Sequence, residues 1–93
     1  SYSVFIGEEK SPGIIMAGDN EDSLQIKFIP ILASIKEGDE VITSGMDNIF
    51  SEGLKVGVVT EIISLADMKI AKVKPYISAS KKRYFYLYES KNN

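Results

Sequence analysis

The tripeptide Thr43-Ser44-Gly45 lies within GDEVITSGMDNIFSEGL, residues 38–54, with Asp39 and Asp47 close by in sequence. A serine beside a glycine, with carboxylates at hand, is the raw material of a nucleophile. Such a nucleophile needs a base within hydrogen-bond reach and donors that hold an oxyanion. The base is what this chain lacks. It contains no histidine and no cysteine, which removes Ser-His-Asp and Cys-His arrangements, disulfides and imidazole metal ligands. The G-x-S-x-G elbow is absent too, because Ile42 and Met46 stand where its glycines belong. No S-x-x-K starts at Ser44 to offer a lysine base. A serine–glycine turn after a strand is the reading that stands.

The carboxylates say no more than the serine does. Asp19, Glu21 and Ser23 alternate like the start of a calcium loop, but Leu24 and Pro30 occupy the positions where that loop needs Gly and Glu. Glu8-Glu9, Asp19 to Asp22 and Glu37 to Glu40 all fall in polar turns, where acids are solvated rather than paired in a pocket. The expectation is a non-enzyme with no metal and no cofactor.

The elements that position these residues read as strands. Tyr2 to Ile6 alternates and stops at Gly7; residues 8–13 are turn material, and Gly13 to Ala17 makes a second strand. Leu24, Ile26 and Phe28 alternate with Gln25 and Lys27, a half-buried strand ended by Pro30. A short helical turn is expected at Ile31 to Lys36, then a strand at Glu40 to Thr43. The loop 44–54 carries Ile49 and Phe50 as its plug into the core. Val56 to Leu65, apolar on both faces, reads as a buried or strongly coiled strand with a bulge near Gly57. Met68 to Lys74 ends at Pro75, Arg83 to Glu89 forms a last strand, and 90–93 is expected to fray. Ninety-three residues with such spacing make one all-β domain over 1–93, a small antiparallel barrel of six to seven strands.

Charge is divided along the chain. Residues 1–50 hold three lysines against nine acids, net −6, and residues 51–93 hold eight bases against four acids, net +4. Lys69, Lys72, Lys74, Lys81, Lys82 and Arg83 fall in or beside two adjacent expected strands and predict a basic patch. In RYFYLYE, Tyr84, Tyr86 and Tyr88 share one face and Phe85 and Leu87 the other. If Phe85 and Leu87 turn inward, the tyrosines form an outer surface of the kind favoured at protein interfaces. The alternative is a small OB- or SH3-like barrel that binds nucleic acid, with tyrosines on bases and Lys82 and Arg83 on phosphates. A net charge of −2 lacks the basic footprint this requires. No run of 18 apolar residues is present, and no signal peptide is visible. The chain opens directly on a strand and reads as a piece of a longer protein.

One stretch carries a family likeness. Gly38-Asp39, Val41, Thr43-Ser44-Gly45, Ile49-Phe50, Gly53-Leu54 and Val56-Gly57 resemble, in order and spacing, the C-terminal half of MreC, the bacterial rod shape-determining protein. Upstream, Pro12-Gly13-Ile14 and Gly18-Asp19-Asn20 resemble the family's hairpin; downstream, Val73-Lys74-Pro75 resembles its Val-x-Pro. Ser51 departs from the pattern where a proline is common, and the tyrosines at 84, 86 and 88 replace a more aliphatic segment. The resemblance implies the second of two extracytoplasmic six-stranded barrels, each like one barrel of the trypsin fold, in a protein held by a transmembrane helix. It implies a periplasmic, non-catalytic scaffold that self-associates and binds the elongation transpeptidase, a penicillin-binding protein, alongside MreD, RodA and MreB. On that footing the candidate contacts are Tyr84, Tyr86, Tyr88, Lys72, Lys74, Lys82 and Arg83. Gly38, Asp39, Thr43, Ser44, Gly45, Phe50, Gly53, Leu54, Gly57 and Pro75 are the structural family motif.

Overall fold

The computed structural model of the chain describes residues 1–20 and 22–77. Six strands follow one another: β1 (Tyr2–Ile6), β2 (Ser11–Ala17), β3 (Leu24–Ile29), β4 (Glu40–Thr43), β5 (Lys55–Ser64) and β6 (Lys69–Pro75). All pairings are antiparallel, and the order β1-β2-β3-β6-β5-β4 closes on itself through β4 and β1. Closure leaves none of the six strands with a free ladder edge.

Alternation decides which side chains enter. Val4 and Ile6 of β1, Ile15 of β2, Val41 of β4, Val59 of β5, and Ala71 and Val73 of β6 point inward with Ile26 and Ile29 of β3. All nine are buried, and each large one contributes about 1.5–3 kcal/mol by leaving water. The antiparallel path sorts the connections to two ends. One end holds Tyr2, the β2–β3 turn, loop 44–54 and the exit of β6 at Pro75; the other holds the turn 7–10, the segment 30–39 and the turn 65–68.

Several local expectations give way to tertiary constraints. Strand β2 begins at Ser11 rather than Gly13, since the turn is complete by Lys10 (φ 53°) and Pro12 pairs opposite Phe5. Phe28 does not join Ile26 inside. The β3–β6 register slips between Ile26 and Ile29, Phe28 takes φ 63°, and its ring faces out. The bulge lets two isoleucines three positions apart both reach the core, which simple alternation forbids. The span Ile31 to Lys36 forms no helical turn: one hydrogen-bonded turn, Ala33 N–H to Pro30 O at 3.0 Å, leads into extended chain. In β5 only Gly57 and Val59 are buried, and Thr60 and Glu61 are exposed. Its register slips near Gly57 against β4, and again between Val59 and Glu61 against β6, so the strand coils as expected but is not buried on both faces. The expected strand Arg83 to Glu89 and the tail 90–93 lie outside the described residues.

Candidate interaction site

Loop 44–54 is held by backbone and hydroxyl hydrogen bonds rather than by an apolar plug. The buried Thr43 hydroxyl donates to the Ser51 carbonyl and accepts from Leu54 N–H at 2.9 Å. Main-chain bonds join Thr43 N–H to Leu54 O and Gly53 N–H to Thr43 O, both at 2.9 Å. Gly45 adopts φ 75°, and a Cβ there would lie 3.0 Å from Glu52 N, so the turn needs glycine twice over. Ile49 is exposed. Phe50 stays at the rim, edge-to-face on Tyr2 with centroids 4.8 Å apart. The expectation that the pair plugs the core is corrected: Ile49 is half exposed, Phe50 packs on Tyr2, and neither joins the buried cluster.

Ser44 is not presented to a substrate. Its side chain is buried, and its Oγ accepts Met46 N–H at 3.1 Å. Asp39 lies beyond the other end of β4, roughly 16 Å away at about 3.3 Å per strand residue, and accepts Lys36 N–H at 2.9 Å. Asp47 accepts Ser3 N–H at 2.7 Å and Ile49 N–H at 3.3 Å. The three candidates for chemistry therefore serve three separate turns. The acidic turn behaves alike: Asn20 Oδ1 accepts Asp22 N–H at 2.9 Å, and no cluster of three metal-ligating side chains occurs among the described residues.

The Asp47 clip ties the loop to the start of β1 and makes a pH prediction. The Ser3 amide holds the Asp47 carboxyl below the usual carboxylate range, with Ile49 N–H adding to it. A depressed folded pKa means that its contribution is present above the ordinary value and lost as pH falls through the folded one. The Ser3 amide resonance should therefore titrate below the usual carboxylate range in the wild type and lose that step in Asp47→Asn. A step at the ordinary carboxylate position would remove the clip.

Of the expected contact residues, Lys72 and Lys74 are described. Both point outward on β6, on the face opposite Ala71 and Val73. Lys72 Nζ lies 3.7 Å from Glu61 and 3.8 Å from Asp19, while Lys69 Nζ donates to Ala33 O at 2.8 Å, so acids and a carbonyl offset the expected basic patch here. Tyr84, Tyr86, Tyr88, Lys82 and Arg83 lie outside the described residues. The motif residues converge on the β4–β5 hairpin: Gly38 N–H donates to Val59 O, Asp39 O accepts Val59 N–H, and Gly57 pairs with Pro75.

Sequence reasoning alone misses a group of exposed apolar side chains at the end opposite loop 44–54. Phe28 is 59% exposed and Leu32 91%, with Ile31 and Leu65 also exposed. The signal that could have found them is the apolar run on both sides of Pro30, FIPIL, in a place where polar turn residues are usual.

Among the described residues, the hydroxyls and carboxylates of Thr43, Ser44, Asp39 and Asp47 serve turns, while rings and aliphatic chains stand outside a closed barrel. What this geometry defines is a small β-barrel domain, closed by six antiparallel strands. Residues 1–89 match the family described as rod shape-determining protein MreC, barrel core. The chain belongs to the MreC family. It is 38% identical to the MreC of a solved complex between penicillin-binding protein PBP2 and MreC from Helicobacter pylori, with a TM-score of 0.77 over 86% of this chain and 51% of that one. Against the crystal structure of MreC from Pseudomonas aeruginosa it shows 26% identity and a TM-score of 0.74, over 81% of this chain and 50% of that one. The chain thus spans about half the length of these solved relatives. No curated protein sequence matches it.

Proposed function

We propose that this chain is the second extracytoplasmic barrel of a longer MreC-like protein, a non-catalytic scaffold of cell elongation that binds a penicillin-binding transpeptidase and self-associates. The observation that carries the reading is the 38% identical relative whose solved complex pairs MreC with PBP2. A rigid barrel acts by position: a surface that binds one conformation of the synthase more tightly shifts its population toward that state. Tyr84, Tyr86 and Tyr88, with Lys72, Lys74, Lys82 and Arg83, remain the contacts proposed from the sequence. No described helix is long and apolar enough to cross a membrane, and a periplasmic location is part of this proposal.

The test is capture of the cognate penicillin-binding transpeptidase on the immobilised barrel, with sedimentation of the free barrel in parallel. Retention that changes little between low and physiological salt is expected, unlike the steep loss that phosphate contacts produce. Tyr84→Ser/Tyr86→Ser/Tyr88→Ser should weaken capture, self-association or both. If the triple variant matches wild type in both measurements, the tyrosine face is not the contact.

A further inference from the structure

Tyr76 is the first residue after β6, and two hydrogen bonds set its position. Its N–H donates to Val56 O at 3.0 Å, which carries the pairing with β5 one residue past Pro75. Its hydroxyl donates to Glu40 Oε2 at 2.9 Å. Glu40 opens β4, and β5 stands between β4 and β6 in the sheet. The side chain therefore bridges over a whole strand, joining backbones that lie roughly 10 Å apart at about 4.8 Å per strand. The register accounts for its direction. Glu40 pairs with Val58 and Val58 with Lys74, so Glu40 stands level with a residue two positions before Tyr76.

The acceptor is itself held. Lys55, the first residue of β5, places Nζ 3.8 Å from the same Glu40 Oε2. The openings of β4 and β5 and the residue after β6 thus meet in one cluster outside the barrel. A hydroxyl donating to a carboxylate makes a stronger bond than a neutral pair does. The hydrogen bond to Glu40 also raises the Tyr76 hydroxyl above its ordinary pKa, so it remains a donor throughout the neutral range. Packing does not ask for this contact. Val73 is the last core residue of β6, so the core is complete before the chain reaches Tyr76, which is 53% exposed. Strand ends fray where few buried contacts hold them. A tie placed beyond the last core residue acts on the outgoing chain.

We propose that Tyr76 and Glu40 form a latch that fixes the direction in which the chain leaves the barrel. The Lys55 side chain is 71% exposed and that of Glu40 45%, so the latch opens into water without disturbing any of the nine core residues. Closed, it holds the start of the outgoing chain against β5; open, it leaves a hinge at Tyr76 and Ile77. A barrel that acts by position needs a fixed angle to the rest of its protein. That use of the latch rests on the scaffold reading above, whereas the latch itself stands on the hydrogen bonds.

Amide hydrogen exchange and thermal unfolding of the chain test the latch in Tyr76→Phe, Glu40→Ala and the double variant. The amide of residue 76 is expected to exchange about fivefold faster in each single variant. The double variant should exchange no faster than either, because both substitutions remove one bond. The Val73 amide and the melting temperature should stay near wild type. Unchanged exchange at residue 76 in both single variants overturns the latch, and effects that multiply in the double variant overturn the pairing. A lowered melting temperature with faster exchange at Val73 makes the contact part of the barrel's packing and overturns the assignment to the outgoing chain. Its use is tested by capture of the cognate penicillin-binding transpeptidase on the longer protein, with weaker capture expected for Tyr76→Phe. If the wild type captures nothing, the scaffold reading fails and the exchange result alone decides the latch. Equal capture by wild type and Tyr76→Phe, with exchange at residue 76 accelerated, overturns the use in positioning.

Discussion

Gly57→Ala should destabilise the barrel by about 3 kcal/mol, near the upper end of what overpacking usually costs. A Cβ at position 57 would stand 2.4 Å from Lys74 O, 2.9 Å from Pro75 Cα and 2.9 Å from Val73 Cγ1. Two of those three atoms are backbone of β6 and cannot rotate away. In an open sheet β6 could drift outward; here β3 holds its far side and the sheet closes on itself, so relief at Gly57 breaks ladder bonds elsewhere. Gly38→Ala is the comparison. Gly38 has φ 93°, but a methyl group there would meet nothing within 4 Å, so the variant bears only the conformational cost of about 1–2 kcal/mol. Thermal unfolding separates the two, since a loss of about 3 kcal/mol lowers Tm by roughly 12–24 °C in a domain of this size. Equal losses for the two variants would show that closure is not what demands glycine at 57.

Most of the strands are legible in the sequence because the barrel has a single inside, and an inside imposes period two on whatever lines it. Tyr2–Ile6 and Glu40–Thr43 emerge with the bounds their alternation suggests. The same logic misplaces Phe28, since alternation assumes an unbroken register and the bulge in β3 breaks it. Only the positions of Ile29 and Pro30 hint that the parity has to change before the strand ends. The helical turn over 31–36 fails because the residues that pack against the core, Ala33 and Ile35, are two positions apart, the period of extended chain, while Leu32 is almost fully exposed. Ile49 and Phe50 mislead because apolar residues in a loop suggest an anchor, whereas the anchor is the Thr43 hydroxyl. Ser44 is legible as a turn residue from the missing histidine alone. Interaction surfaces are harder to see. They have no required residue types or spacing, and the exposed apolar residues at one end come from strand β3 and two separate connections that only the fold brings together.

The second large effect concerns that hydroxyl. Thr43→Val keeps the volume and the buried methyl but removes the group that serves both the Ser51 carbonyl and Leu54 N–H. An unsatisfied buried polar group costs about 1–3 kcal/mol. With Leu54 and Ser51 reachable by water in part, a loss of about 2 kcal/mol is expected on unfolding. Thr43→Ser retains both hydrogen bonds and gives up only a methyl group, about 0.8 kcal/mol. The order valine below serine is informative, because apolar packing alone ranks the two the other way. The change should also be local in kind. Thr43 N–H still donates to Leu54 O, and Gly53 N–H still donates to Thr43 O, so the β4–β5 register survives while the loop loses its side-chain fastening. Amide exchange at Leu54 should accelerate well beyond the global loss of stability in Thr43→Val and stay near wild type in Thr43→Ser. Matching exchange in the two variants would mean that the ladder bonds alone hold the loop, and that threonine at 43 is there for its methyl.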